Sequence, residues 1–134
     1  MSKRKMKELM AKATTLQDEL LHLIERDAEV FEPLSKAYGM PRETEEEKAE
    51  KARVMEIVLK DACSVPMEIM EKCCEAIDLI VEFAAKGSAL AISDAGVGAS
   101  ILQSSLRGCF PECIYQHEIY EKPGICRRTE SKMR

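Results

Sequence analysis

Tryptophan is absent from this 134-residue sequence, and aromatic residues make up 4% of it. A core without large aromatic side chains has to be built from aliphatic residues, methionine and alanine, which favours packed helices. Hydrophobic residues make up 46% of the chain, which is enough for a core, and the length allows one domain at most. The sequence therefore predicts an all-α protein, a bundle of about four long helices with an irregular C-terminal tail.

Long apolar runs and an excess of basic charge are also missing. Glu75, Asp78 and Glu82 interrupt the most apolar stretch, so no segment approaches the roughly 20 residues that a membrane-spanning helix needs. The net charge of -4 argues against general nucleic-acid binding. The N-terminus lacks the apolar segment of a secretory signal. We therefore expect a cytoplasmic protein whose partners include neither a membrane nor a nucleic acid.

Six cysteines in a chain without an export signal are expected to be thiols rather than disulfides. Cys109, Cys113, His117 and Cys126 have the ligand types of a zinc site, but their spacing fits no standard pattern. An irregular tail in which these residues have no common role is the alternative. We expect no metal site.

Apolar residues at steps of three and four predict a long first helix over roughly residues 3–38, ended by Gly39. Asp27 falls on its apolar face, between Ile24 and Phe31. A carboxylate on such a face needs a partner or a raised pKa. Asp27 is therefore either paired with a basic residue of another helix or a functional carboxylate.

Three further helices are predicted over residues 44–65, 66–86 and 94–107. Thr44 and Glu47 have the spacing of a capping box. Pro66 lacks an N–H group and is expected to break or restart the helix, with Ser64 as the new cap. Gly87 is expected to end the third helix, whose apolar residues cover most of its circumference and predict a central position.

The stretch Ala91–Gly98 combines a capping residue, a carboxylate and glycines. Ser93 is placed to cap the following helix, and Asp94 then lies where the helix dipole favours a carboxylate. The small residues around Gly96 allow another backbone or a flat ligand to approach closely. The stretch is therefore either a capped helix start packed against a neighbour or part of a ligand site.

Five segments stand out by their order and spacing: Leu23–Phe31, Ala37–Pro41, Ala62–Met67, Lys86–Ser88 and Ile92–Gly96. Together they resemble the cyclodeaminase/cyclohydrolase family of folate enzymes. That family includes the cyclodeaminase half of formiminotransferase-cyclodeaminase and the bacterial methenyltetrahydrofolate cyclohydrolases. The resemblance assigns residues 1–108 to a partial helical domain of this family.

This resemblance implies a fragment of a homodimeric helical enzyme that acts on a tetrahydrofolate derivative without a cofactor. Its members interconvert formimino- or formyl-tetrahydrofolate and 5,10-methenyltetrahydrofolate, by C–N bond hydrolysis or by cyclisation with release of ammonia. Proton transfer is assigned to Asp94 and Asp27. Substrate binding is assigned to five residues: Ser93, Gly96, Lys3, Arg4 and Lys5. The family's glycine-rich turn has no counterpart here, so a non-catalytic helical interaction module is the alternative.

Residues 109–134 depart from the family. Read one nucleotide out of register, their codons permit a sequence that resembles the segment following the family's counterpart of the fourth helix. We therefore predict that residues 109–134 are an out-of-frame translation and that their cysteines and histidine are accidental. Resequencing the coding DNA checks this prediction.

Overall fold

The computed structural model describes the backbone of residues 3–118 and the side chains of residues 3–111. This part of the chain is all-α, as predicted. Its elements are three long helices and a short 3-10 turn: α1 (Lys3–Tyr38), α2 (Glu45–Lys86), the 3-10 turn (Ala89–Ala91) and α3 (Ile92–Glu118). Within these residues, no helix combines the length and the apolar character that a membrane crossing requires.

The short connection between α1 and α2 makes the two helices antiparallel neighbours. α1 packs on α2 through a face that repeats apolar residues every three or four positions. Leucines buried on this face recur at a step of seven residues: Leu9, Leu16 and Leu23. Leu16 packs with Leu79, towards the end of α2. Leu34 packs with Leu59, in the first half of α2. The two helices therefore run alongside each other in opposite directions over most of the length of α1.

The capping box predicted at the start of α2 is confirmed. The Glu47 N–H donates to Thr44 Oγ1 at 3.1 Å, and the Thr44 N–H donates to the Glu47 carboxylate at 3.1 Å. The Lys51 ammonium donates to the carbonyl of Tyr38, the last residue of α1, at 2.7 Å and to the carbonyl of Met40 in the connection at 2.9 Å. α1 ends at Tyr38, immediately before Gly39, as predicted.

α2 runs through Pro66 without interruption, so the predicted break there, with Ser64 as a new cap, is wrong. An interior proline removes one helical hydrogen bond and costs about 3 kcal/mol. Pro66 and Val65 are among the most deeply buried side chains of the described residues, and burying such a side chain stabilises by about 1.5–3 kcal/mol. Packing therefore keeps the helix continuous. Ser64 instead donates its hydroxyl to the Asp61 carbonyl at 2.6 Å.

The predicted second and third helices are thus one helix, which makes three long helices rather than four in residues 3–118. α2 packs against both α1 and α3, so the predicted central position is confirmed. Midway along the bundle, Met70 and Cys73 of α2 form a buried cluster with Leu106 of α3. Leu20 of α1 packs against the same cluster, which joins all three helices.

α3 begins at Ile92, so Ser93 lies inside its first turn and the prediction that Ser93 caps it is wrong. The chain enters α3 directly from the 3-10 turn, which leaves no extended residue at position 93. Ser88 has the capping role one element earlier, where its side-chain oxygen accepts from the Leu90 N–H at 3.3 Å.

α3 also extends further than predicted. It continues past Pro111 to Glu118, so the irregular tail does not begin at residue 109. Cys109 and Phe110 pack against the central cluster, which favours a continued helix. The out-of-frame origin of residues 109–134 stays a prediction, and residues 119–134 lie outside the described part of the chain.

Candidate functional site

One end of the bundle, where α1 begins, α2 ends and α3 begins, gathers most of the predicted site residues. Lys5 of α1 lies beside Glu82 and Lys86 of α2. Ser93 and Asp94 lie in the first turn of α3, which follows α2 after a short connection. We call this end of the bundle the lysine end. Its residues are Lys3, Arg4, Lys5, Lys12, Glu82, Lys86, Ser93, Asp94 and Gly96.

Lysines surround a carboxylate where α1 meets α2 at the lysine end. Lys86 Nζ donates to Glu82 Oε2 at 2.8 Å. This hydrogen bond holds the pKa of the Glu82 carboxyl below its usual value, and Lys5 and Lys12 contribute in the same direction. The hydrogen bond with Glu82 also raises the pKa of Lys86. Three lysines thus lie near Glu82, and Lys12 also lies in a groove that contains Glu19, Glu75 and Asp78.

Asp94 lies where the sequence predicts, in the first turn of α3, and it is exposed. The first-turn N–H groups of a helix favour an exposed carboxylate by about 0.3–1 kcal/mol. Gly96 is also exposed, and a Cβ added there would meet no atom within 4 Å. The start of α3 therefore presents a carboxylate beside open surface.

Gly98 has a packing role. A Cβ added at this residue would lie 3.1 Å from Ile80 Cδ1 of α2, so the glycine lets α3 approach α2 closely. The two interpretations of Ala91–Gly98, a helix start packed against a neighbour and part of a ligand site, therefore apply to different residues. Gly98 packs against a neighbouring helix, whereas Gly96 faces open space.

Asp27 lies at a different level of the bundle, half-buried on the face of α1 that packs against α2. The predicted ion pair is not formed with any other described residue. Glu19 Oε2 of α1 lies 2.9 Å from Lys72 Nζ of α2, which shows the register of α1 against α2. The close approach of Gly98 to Ile80 shows the register of α3 against α2. At 1.5 Å per residue, Asp27 and Asp94 of one chain are about 30 Å apart. One chain therefore does not bring the two predicted catalytic carboxylates together.

Sequence reasoning missed Lys86, Lys12 and Glu82 as parts of the lysine end. The sequence could have indicated Lys86, because it immediately precedes the connection that leads to Asp94. Lys12 and Glu82 lie on different long helices among many other charged residues, so the sequence alone does not place them together. The antiparallel packing of α1 on α2 is what places them with Lys5.

Cysteine and metal chemistry is separate from the lysine end. The cysteines among the described side chains are thiols, as predicted: Cys63, Cys73, Cys74 and Cys109. Among these side chains, no group of three or more His, Cys, Asp or Glu residues is arranged to hold a metal ion. Cys113, His117 and Cys126, which the zinc interpretation needs, lie outside the described side chains.

The lysine end can therefore do two things chemically. The Asp94 carboxylate is able to take up or release a proton at an exposed position. The ammonium groups of Lys5 and Lys86 are able to attract the carboxylates of a ligand. These two groups lie at the same end of the bundle but on different sides of α2. Glu82 and Lys86 lie beside Lys5 of α1, whereas Ile80, about 200° around the helix from Glu82, contacts Gly98 of α3.

Comparison with known proteins gives three matches. The sequence model of the family described as Formiminotransferase-cyclodeaminase matches residues 1–112. A methenyltetrahydrofolate cyclohydrolase of Methylorubrum extorquens is 38% identical over 102 residues, which are 76% of this chain and 49% of that protein. A formimidoyltransferase-cyclodeaminase of Sus scrofa is 30% identical over 91 residues, 68% of this chain and 17% of that protein. The chain thus spans less than half the length of each of these relatives.

Proposed function

This chain belongs to the formiminotransferase-cyclodeaminase family, and from that membership we propose that it acts on one-carbon derivatives of tetrahydrofolate. The reactions are closure of formimino-tetrahydrofolate to 5,10-methenyltetrahydrofolate with release of ammonia, and hydrolytic opening of the methenyl ring to formyl-tetrahydrofolate. The observation that carries the proposal is the family match over residues 1–112, and the presence of Asp94 and the lysines at the same end of the bundle supports it. The proposed reactions need no metal or redox cofactor, and the proposed location is the cytoplasm.

Both reactions pass through a tetrahedral carbon between two nitrogens, so a proton has to move at a nitrogen or at the attacking water. We assign this transfer to Asp94, since a positioned carboxylate acting as general acid or base contributes about 10²–10⁴-fold. Lys5 and Lys86 bind the glutamate carboxylates of the folate. Ser93 and Gly96 line the approach to Asp94, and Lys3 and Arg4 extend the positive surface.

The proposal includes a homodimer. α1 carries a second, exposed apolar stripe beside the face that packs against α2, formed by Leu21, Ile24, Ala28 and Phe31. Ile24 and Phe31 are 64% and 59% exposed, and a contiguous exposed apolar stripe is typical of a protein-protein contact. Because Asp27 is about 30 Å from Asp94 of its own chain, a role for Asp27 at this site requires a second copy.

The replacement Asp94→Asn tests the catalytic assignment. Loss of methenyltetrahydrofolate, followed by its absorbance, is expected to slow at least about 100-fold, because asparagine cannot transfer the proton. The helical circular dichroism is expected to stay unchanged, because Asp94 is exposed. Turnover by Asp94→Asn at the wild-type rate would falsify the assignment. A wild-type chain that neither turns over nor binds a folate analogue supports the non-catalytic helical module.

A mixing experiment tests Asp27. If Asp27 of one copy serves the site of another, Asp27→Asn and Asp94→Asn are each inactive alone. Mixed dimers of the two variants then contain one intact site, which restores about a quarter of the wild-type turnover. Each variant mixed with itself is the control. No recovery on mixing places Asp27 outside the site.

The oligomeric state tests the dimer. Light scattering on the eluting wild-type chain is expected to give twice the mass of one chain. Ile24→Lys is expected to give the mass of a single chain, because it puts a charge in the stripe. Glu29→Lys, on a different face of the same helix, is the control and should leave the dimer intact. A monomeric wild type contradicts the dimer, and a different partner would then cover the stripe.

A further inference from the structure

Two helices bring cysteine thiols together midway along the bundle. Cys73 of α2 is 3% exposed and belongs to the buried cluster that also contains Met70 and Leu106. Cys109 of α3 packs against this cluster. Burial raises the pKa of the Cys73 thiol, and both Cys109 and Cys74 add to this effect. The sequence alone predicts thiols at these positions and gives no sign of a pairing between α2 and α3.

We propose that Cys73 and Cys109 are a redox-active thiol pair whose oxidation joins α2 to α3 through a disulfide. Both residues are thiols in the structure. Cys109 is half-buried and accessible to an oxidant in solution, whereas Cys73 is buried. Cys63 lies ten residues before Cys73 on α2, about 15 Å away along the helix, and is not part of the pair. The pairing is a property of the chain as translated, whatever reading frame its codons derive from.

The reaction is thiol-disulfide exchange with a low-molecular-weight disulfide such as oxidised glutathione. The Cys109 thiolate attacks one sulfur of the oxidant, which forms a mixed disulfide and releases a first glutathione thiolate. The Cys73 thiolate then attacks the Cys109 sulfur, which closes the protein disulfide and releases the second glutathione thiolate. The two protein thiols lose two electrons and two protons in total. The oxidant takes up both and ends as two molecules of reduced glutathione.

The second step is expected to depend on pH. Burial raises the pKa of the Cys73 thiol above its usual value, and the neighbouring Cys109 and Cys74 add to the effect. Because the thiolate is the attacking species, formation of the Cys73–Cys109 disulfide is slow at neutral pH. It accelerates as the pH rises towards the pKa of Cys73. The mixed disulfide on Cys109 is therefore expected to accumulate at lower pH and to give way to the protein disulfide at higher pH.

The test exposes the full chain to oxidised glutathione at low protein concentration, blocks remaining thiols and digests the chain with trypsin without reductant. The expected product is a cross-linked pair of peptides, residues 73–86 and 108–127, that disappears on reduction. Fragmentation of the pair should place the bond at Cys73 and Cys109. Cys74→Ser and Cys63→Ser are matched controls and should retain it.

Two variants and one physical measurement complete the test. Cys109→Ser and Cys73→Ala should each abolish the cross-linked pair. The oxidised wild type should also unfold about 10 °C above the reduced chain, because the bond closes a long loop in the unfolded state. Absence of the pair in the oxidised wild type overturns the proposal whether or not the variants fold. So does a bond that fragmentation places at Cys74, or a pair that persists in Cys109→Ser.

Discussion

The connection from α1 to α2 (residues 39–44) is held by side chains, whereas the connection from α2 to α3 (residues 87–91) is held by its own backbone and one serine. In the first, Thr44 and Glu47 exchange hydrogen bonds, and Lys51 donates to two carbonyls. These contacts satisfy groups that a helix end otherwise leaves to water.

The second connection has fewer such contacts, and all of its residues are exposed. The Gly87 N–H donates to the Phe83 carbonyl at 2.7 Å, and Ser88 accepts from the Leu90 N–H at 3.3 Å. Leu90 is 91% exposed. The two connections show that stabilising side chains are concentrated at one end of the bundle, and the candidate site at the other. The lysine end lies at the less protected connection, where a ligand has access.

The largest expected difference in stability between variants of the two connections comes from replacing their glycines. Gly87→Ala is expected to destabilise by about 2 kcal/mol, because its Cβ would lie 2.5 Å from the Phe83 carbonyl oxygen and the backbone would have to shift. Gly39→Ala is the matched control. Its Cβ would lie 3.5 Å from the Lys36 carbonyl oxygen, an ordinary contact, and its effect should stay within about 0.5 kcal/mol.

Urea unfolding followed by circular dichroism measures both free energies of unfolding. Equal effects of Gly87→Ala and Gly39→Ala would show that the two connections have the same tolerance for a side chain, contrary to the structure.

A smaller difference is expected from the two capping residues. Thr44→Ala removes the capping box at the start of α2 and should destabilise by about 1 kcal/mol. Ser88→Ala removes a longer hydrogen bond to a three-residue turn, and its effect should stay within about 0.5 kcal/mol. Urea midpoints measure both. A larger loss of stability in Ser88→Ala than in Thr44→Ala would mean that the second connection, and not the first, depends more on its capping side chain.

The start and end of α2 were predictable from sequence, whereas its continuity was not. Thr44, Glu47 and Gly87 were assigned correctly because a cap depends on residues a few positions apart. The continuation of α2 through Pro66 was not predictable, because it results from burial against other helices. Ser93 failed as a cap for a related reason, since the 3-10 turn before it already leads the backbone into α3.

The sequence predicted the helical position of Asp94, but it missed Lys86, Lys12 and Glu82 and did not give the arrangement of the candidate site. The position of Asp94 in a first helical turn followed from local sequence. Its location at the same end as Lys5 and Lys86 did not, because that depends on the register of α1 and α3 against α2. The separation of Asp27 from Asp94 follows from the same registers, which a pattern within one helix does not contain.

The smallest expected effect is a gain in stability at the start of α3, beside the second connection. Gly96→Ala should stabilise by about 0.5–1 kcal/mol, because nothing lies within 4 Å of the added Cβ. Gly98→Ala would place its Cβ 3.1 Å from Ile80 Cδ1, so it should stabilise the chain less than Gly96→Ala or destabilise it. If the open surface at Gly96 receives the folate, Gly96→Ala should also weaken binding of a folate analogue, measured by titration calorimetry. Unchanged binding in the stabilised variant would mean that the ligand approaches Asp94 from another side.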